Sequence, residues 1–364
     1  MKTTPTHSPQ TPKPLKILVL SAKGWGTGSA LRAYYVAEAL KKRGHRVTFP
    51  KPLPTWPLWL DMALSTFYYA VMALAEPFDA VWCVKPYPTL VPACLIQRVL
   101  GAKIIFDVDD LDWAYSHGAF RAFHRMLQIP WPKLLGKFTT YHNRALRSPL
   151  VQDFGLGEGE LVQVIQAVDP AVFHPKPKGD ILPPAAQNLW ADPKSKPRLV
   201  VTAHLNVACD LSPVLEGMVR VSKRLPGARL LVAGGGPDQE KFEAEAEKLG
   251  LGARVAFTGA LTPRQVAACL RAADLALVYY SEGPANRLRA SLKLREALAC
   301  GTQVVATKVG EAESLGKHLF LSAPNPTAFA QALVVASKSR PKARPKSPTW
   351  DKAAQALEEK LRPC

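Results

Sequence analysis

KILVLSAKGWGTGSALRAYYVAEALKKRGHRVTF, residues 16–49, decides the fold. KILVLSA is a short apolar, branched run of the length expected for a buried strand. It runs into Gly24-Trp25-Gly26-Thr27-Gly28-Ser29, where three glycines alternate with other residues. ALRAYYVAEALKKRG then carries apolar residues at helical spacing and stops at Gly44. HRVTF is the next strand. Strand, glycine loop, helix and strand in that order open a parallel, doubly wound sheet.

The alternation continues outward. FDAVWCV (78–84) and AKIIFDV (102–108) read as strands around an apolar helix near 89–100, and LVQVIQAV (161–168) is the last strand-like run of the first half. PKPKGDILPPAAQNLWADPKSKP follows as a proline-rich linker. From Arg198 a second unit repeats the pattern. RLVVTAHL, RLLVAGGGP, RVAFTGA, DLALVYY and TQVVATKVG are its strands, and LKLREALACG is a helix closed by Gly301. The expected organisation is a disordered leader (1–15), a Rossmann-like domain (16–176), a linker (177–197), a second Rossmann-like domain (198–337), and a basic coil with a terminal helix (338–364). The fold class is α/β with two tandem Rossmann-like domains.

A chain of 364 residues fits two domains of about 100–200 residues each. With 48% hydrophobic and 21% charged residues, disorder throughout is excluded. The six cysteines include no CxxC pair, so neither a zinc site nor a thioredoxin-like motif is written, and a reduced, cytoplasmic setting is expected. The uncharged runs Met62 to Ala75 and Pro86 to Gln97 fall short of the roughly 20 apolar residues of a membrane span. The leader has no apolar core and is not a secretory signal. The net charge of +18 attracts polyanions, whether nucleotides, nucleic acid or anionic lipid, without choosing among them.

Four groups of residues can carry chemistry. The loop with Gly26, Thr27 and Gly28 meets a helix N-terminus, where free N–H groups and the helix dipole favour an anion. It departs from GxGxxG, and no acidic residue ends HRVTF to take a ribose, which disfavours a dinucleotide. Asp107, Asp109, Asp110 and Asp112 cluster at the C-terminal end of a strand, the edge where open α/β sheets bind ligands. On extended backbone Asp107 and Asp109 share one face and Asp110 looks away. Such carboxylates can bind a metal, act as a base, or hold sugar hydroxyls. Trp113 to Gln152 contains no acid but carries Arg121, Arg125, Lys133, Lys137, Arg144 and Arg147 among aromatics. It reads either as a basic helix pair for anionic membrane or as a basic face over a core. In YSEGPANRLRASLKLREALACG, Lys293 and Glu296 stand three apart on one helix face. The ammonium can neutralise a diphosphate and the carboxylate can accept ribose hydroxyls.

SEG…KLREALACGTQVVATKVGE, LLVAGGGPDQEKFEAEAEKLGL…VAFTGAL, IQAVDPAVFHP and the 24–49 stretch together resemble the GT-B glycosyltransferases, in the large group of retaining nucleotide-sugar transferases called family four. The resemblance covers roughly residues 16–335. It implies two domains facing a central cleft, with the final helix crossing back and no metal and no cofactor beyond the nucleotide-sugar substrate. The C-terminal domain would hold the donor and the N-terminal domain a carbohydrate or lipid-linked acceptor. By the helix match, Glu296 is the ribose-binding glutamate and Glu282 the candidate on the sugar side. The family's box spaces these glutamates eight apart, against fourteen here. Where the family has an arginine and a lysine on the phosphates, AHLNVACDL has neither, so Lys293 with Arg287 or Arg289 would supply the charge. Gly235, Gly236 and the Glu282–Asn286 loop would add donors to the diphosphate. Asp109 stands where many members have a histidine, with His117 a second candidate for taking the acceptor's proton. A same-fold epimerase and a non-catalytic binding protein are the alternatives. No recognition motif accompanies the charge, so nucleic acid is not an expected partner. Trp56, Trp59 and the basic 113–152 stretch lead to an expectation of reversible binding at the inner face of an anionic membrane.

Overall fold

The computed structural model describes residues 13–24, 27–51, 53, 58–176, 179–206, 209 and 211–362. Gly26, Trp56 and most of the expected leader lie outside them. The first unit runs β1 (Lys16–Ser21), α1 (Gly28–Lys42), β2 (Arg46–Thr48), α2 (Leu58–Leu74), β3 (Ala80–Val84) and α3 (Val91–Val99). It continues through β4 (Lys103–Val108), α4 (Gly118–Gln128), α5 (Pro130–Leu135), β5 (Phe138–Tyr141), α6 (Arg147–Gln152) and β6 (Leu161–Gln163). The second unit runs α7 (Pro184–Leu189), β7 (Arg198–Thr202), α8 (Ser212–Val221), β8 (Arg229–Ala233), α9 (Gln239–Lys248), β9 (Val255–Phe257) and α10 (Pro263–Ala272). Then follow β10 (Leu275–Val278), α11 (Pro284–Leu288), α12 (Leu292–Cys300), β11 (Gln303–Thr307), α13 (Glu311–Ser314), β12 (Phe320–Ser322), α14 (Pro326–Lys338) and, after a coil, α15 (Trp350–Leu361).

Each unit holds a parallel six-stranded sheet, ordered β2-β1-β3-β4-β5-β6 and β12-β11-β10-β7-β8-β9. The strands are short, apolar and buried on both faces, as parallel sheets require. Strand order reverses between β1 and β3 in the first sheet and between β7 and β10 in the second. Crevices outside the carboxyl ends at such switch points are where open α/β sheets bind ligands. Those edges face each other. Asn143, just after β5, donates to the carbonyls of Leu288 and Arg289 beyond β10 at 2.9 and 3.2 Å.

Three expectations are corrected. LVQVIQAV is a strand only over 161–163, because its later residues leave the sheet: the Val164 carbonyl and the Gln166 side chain both accept from Arg32. The proline-rich 177–197 stretch is not a plain linker, since α7 and Trp190 insert Ala186 and the indole into the second domain's core. The acid-free 113–152 stretch is not a helix pair alone: β5 lies inside it, four residues of which three are paired on both sides. The final helix does cross back. Trp350, Ala353, Ala354, Leu357 and Leu361 of α15 join Ala33, Val36 and Leu40 of α1 in one cluster over the first sheet. Trp350 stacks on Tyr35 at 5.4 Å, and Arg43 donates to Glu358 at 2.6 Å. No helix among the described residues is long and apolar enough to cross a membrane.

Candidate active site

Helix α1 organises the first carboxyl edge. Arg32, with no exposed surface, donates from Nε and Nη2 to the two Asp107 oxygens at 2.8 and 2.9 Å. One turn earlier, Ser29 donates to Asp109 at 2.5 Å. Two residues along a strand and three along a helix therefore meet on one face, as the alternation of β4 predicts. Thr27 caps α1 by accepting from Ala30, and nothing lies within 4 Å of where a Gly28 side chain would begin.

The structure sorts the four aspartates. Asp107 is held by Arg32 and also accepts from Thr140 at 2.5 Å. Asp112 is kept well below the usual carboxylate range. Burial opposes its charge, but Lys85 at 2.5 Å, Lys23 at 3.1 Å and the Tyr87 hydroxyl outweigh that cost. Asp109 keeps one buried oxygen without a hydrogen bond, 3.5 Å from Lys85. Asp110, half-buried at the rim of the edge, is pushed up to about 6 by desolvation, with Lys85 pulling down and Asp109 pushing up. It therefore titrates closer to neutral pH than an ordinary aspartate.

Two residues without a signal in the sequence belong to this edge. Lys85 follows β3 with φ of 67°, a left-handed conformation rare for a side-chain-bearing residue and typical of functional sites. Burial opposes its charge, yet Asp109, Asp112 and Asp110 together hold its pKa well above the ordinary lysine value, so it acts as a fixed cation. His142 follows β5. Burial, then Arg32, drives its imidazole down to about 3, against the pull of Asp109, and its Nδ1 has no partner. It is therefore neutral, an imidazole buried near enough to Asp109 to feel its charge. His117 instead sits exposed at the N-cap of α4 with no hydrogen bond or ion pair to any described residue. A backbone outlier and a histidine just after a short strand without periodicity leave no local mark in the sequence.

The facing edge is built by α11 and α12. Ser291 caps α12 and the left-handed Gly301 (φ 86°) ends it, as the sequence predicts. Lys293, in its first turn, extends Nζ to 3.7 Å from Cys209 in the loop after β7, across the second switch point. Glu296, one turn on, is pushed up to about 7 by burial, with Lys293 pulling it down. Arg295 pairs with Glu311. Arg289 donates to the Tyr115 hydroxyl at 2.6 Å and packs over the Tyr115 and Tyr280 rings at 5.5 and 4.8 Å, so one guanidinium links the domains.

The other expected donor residues are placed differently. Glu282 pairs with Arg287 at 2.6 Å on the surface, offsetting the charge expected to meet a diphosphate. Asn286 donates to the Ser281 carbonyl. A side chain on Gly236 would begin 2.1 Å from the Leu205 carbonyl, and one on Gly235 2.9 Å from the Ala260 nitrogen. These glycines therefore let β8 approach its neighbouring loops. Among the described residues, no group of three or more histidines, cysteines, aspartates and glutamates is arranged to hold a metal.

Residues 196–338 match the family described as Glycosyl transferases group 1. D-inositol 3-phosphate glycosyltransferase from Segniliparus rotundus is 42% identical over 101 residues, 27% of this chain. The match spans only 21% of that relative's length. A phosphatidylinositol N-acetylglucosaminyltransferase component from Arabidopsis thaliana is 22% identical over 86% of this chain and 71% of its own. Anabaena Alr3699/HepE, solved with UDP and glucose, superposes with a TM-score of 0.67 at 15% identity, covering 95% of this chain and 99% of that one. The architecture is the GT-B fold.

Proposed function

We propose, taking the group 1 glycosyltransferase domain as premise, that the chain transfers a sugar from a nucleotide-sugar to an acceptor hydroxyl. The observation that carries this reading is the reach of Lys293 from α12 to the loop after β7. The cation that AHLNVACDL lacks is thereby supplied from the helix beside it. Glu296 on the same helix receives the ribose. In the reaction the bond from the anomeric carbon to the diphosphate oxygen breaks and the bond to the acceptor oxygen forms. Negative charge grows on the departing diphosphate, where a fixed cation stabilises it most. The acceptor hydroxyl loses its proton to Asp109 or Asp110, the carboxylates of the opposite edge. A carbohydrate or lipid-linked alcohol is the acceptor, and the work is done in the cytoplasm. Structures that bind UDP and glucose, and relatives named for inositol-containing acceptors, support the substrate classes.

A thermal-shift screen with UDP, GDP, ADP and dTDP sugars identifies the donor, since a ligand that binds the folded state raises the melting point. Failure of every nucleotide to do so overturns the reading. Nucleotide bound without release of sugar to any acceptor class would favour the non-catalytic alternative.

Glu296 makes the binding pH-dependent. Its carboxyl stands near 7 in the free protein, and only the ionised form accepts two ribose hydrogen bonds without donating. Nucleotide binding should therefore favour ionisation and release a proton below pH 7. Affinity is expected to rise about tenfold between pH 6 and pH 8, the limit for one linked proton being tenfold per unit. Calorimetric titration across that range is the measurement. Glu296→Gln should bind about ten- to a hundredfold more weakly at pH 8 and lose the dependence. An unchanged dissociation constant in this variant would remove Glu296 from the ribose site.

A further inference from the structure

The helices of the first domain divide unequally between its two faces. α1 and α15 cover one face of the sheet, with Glu38, Lys41, Lys42, Lys352 and Glu359 among their solvent-facing side chains. α2, α3 and α5 cover the other, turning Tyr69, Ala73, Ala93 and Cys94 inward. Their outer side is apolar as well. Leu64, Phe67, Val71 and Leu74 form a stripe along α2, spaced three, four and three apart. Neighbouring α3 adds Leu95 and Val99, the latter 87% exposed. Arg98 of α3 donates to the Leu134 carbonyl of α5 at 2.9 Å, which brings the exposed Leu134 into the same surface. α4, packed on α5, adds Phe120 at 74% exposure. Among the described residues, twelve of the fifteen exposed large hydrophobic side chains lie between Leu64 and Leu134. Tyr115 among them meets Arg289 in the cleft; scattered apolar residues need no explanation, but the concentration of the others on or beside α2 to α5 of one domain does.

We infer that this face docks on an anionic lipid bilayer. The inference rests on the reading that the first domain takes the acceptor, and it names the surface on which that acceptor is met. Charge selects the occupant. Arg98 on α3, Arg121 on α4, Lys133 on α5 and Lys137 just after it lie exposed, Lys133 pairs with Glu160 at 3.4 Å, and no acid occurs from Trp113 to Gln152. Two copies meeting through this face by a twofold axis would set those cations against themselves with no acid from that stretch to pair them. A bilayer with acidic headgroups takes both components at once: rings and aliphatic chains enter the headgroup boundary while the basic fringe meets phosphate. The position suits transfer. α4 begins three residues after the Asp112–Tyr115 turn that carries the cleft's acidic edge, so a surface-bound chain would hold Asp109 and Asp110 close to the headgroup plane.

The test is co-sedimentation of the full chain with vesicles of phosphatidylglycerol mixed with phosphatidylcholine, and of phosphatidylcholine alone, at low and moderate salt. The chain is expected to pellet at least about tenfold more with the anionic vesicles, and less as salt rises. The variant Phe67→Glu/Val99→Glu/Phe120→Glu alters only exposed positions and should return to the supernatant. A control on the second domain, Val219→Glu/Val335→Glu, should pellet like the parent. A parent that stays in the supernatant with anionic vesicles at low salt overturns the proposal, as does a triple variant that still pellets. Light scattering that shows a dimer abolished by the same triple variant would make the face a contact between copies and overturn it too. Nucleotide binding is followed on the same preparations. Its loss alongside intact pelleting would refute the transferase reading and leave the surface standing.

Discussion

Lys293→Ala is expected to lower turnover by about 10²–10³-fold, the loss seen when one preorganised group facing developing charge is removed. Its ammonium lies at the second switch point, 3.7 Å from Cys209 and one turn from Glu296. A donor in the ground state already carries a charged diphosphate, so some binding will be lost. The larger loss should come as the glycosidic bond breaks and charge concentrates on the leaving oxygen. The signature is therefore a fall in kcat well beyond the rise in KM. Lys293→Arg restores charge but not its compact shape, and partial recovery is expected. Steady-state kinetics with the donor found by thermal shift, beside a melting curve for each variant, makes the measurement. A Lys293→Ala protein that turns over normally would transfer the role to Arg289, whose guanidinium already bridges the two domains. Equal effects on binding and rate would make the lysine an anchor only.

Arg32→Met should be the most destabilising single change at the edge of the site. Arg32 and Asp107 have fully buried side chains and meet through two hydrogen bonds, with Gln166 and the Val164 carbonyl satisfying two of the three remaining guanidinium N–H groups. Methionine preserves most of the volume but strands the carboxylate. Breaking such a pair from one side costs about 3–5 kcal/mol, because the remaining charge stays buried without compensation. A fall in melting point of roughly 10 °C follows for a domain of this size. The double variant Arg32→Met/Asp107→Leu removes both charges and should recover most of the loss. If the double variant is no more stable than the single, the cost lies in the packing of the guanidinium over the Trp82 ring, 5.9 Å from its centroid, rather than in the stranded charge.

These two residues also mark what can be read from sequence and what cannot. Lys293 stands in a helix whose cap, apolar spacing and terminal glycine are all local signals, so its face and its neighbour Glu296 are legible. The strands around β1, β4, β7 and β8 are legible for the same reason: short branched runs between glycines and amphipathic helices. Arg32 is not. It reads as an ordinary basic residue on an amphipathic helix, and its burial follows only from Asp107 standing 75 residues away on a strand beneath it. β5 escapes because four residues, Phe138 to Tyr141, carry no periodicity of their own and gain their conformation from β4 and β6 on either side. With β5 goes His142. Lys85 takes its left-handed backbone from the turn joining β3 to the Asp107 carbonyl, a tertiary constraint. The pairing of Glu282 with Arg287 likewise depends on how an eight-to-fourteen expansion of the glutamate spacing folds, which the spacing alone does not dictate.

The return of α15 to the first domain bears on how the molecule is made. Trp350, Leu357 and Leu361 complete a core begun by residues 17–40, so the domain synthesised first is finished by residues that leave the ribosome after the whole of the second. Until then the α1 face carrying Ala33, Val36 and Leu40 lacks its cover, while the second domain already has all its strands and can fold. Biogenesis should therefore run against the order of synthesis, with the second domain mature first and the first held open as a client for chaperones. A nonsense change anywhere before Trp350 would leave that client unfinished. For the same reason the two domains are not separable at the proline-rich stretch: an excised first domain needs the terminal helix supplied, as a fused segment or a separate peptide, before it can close.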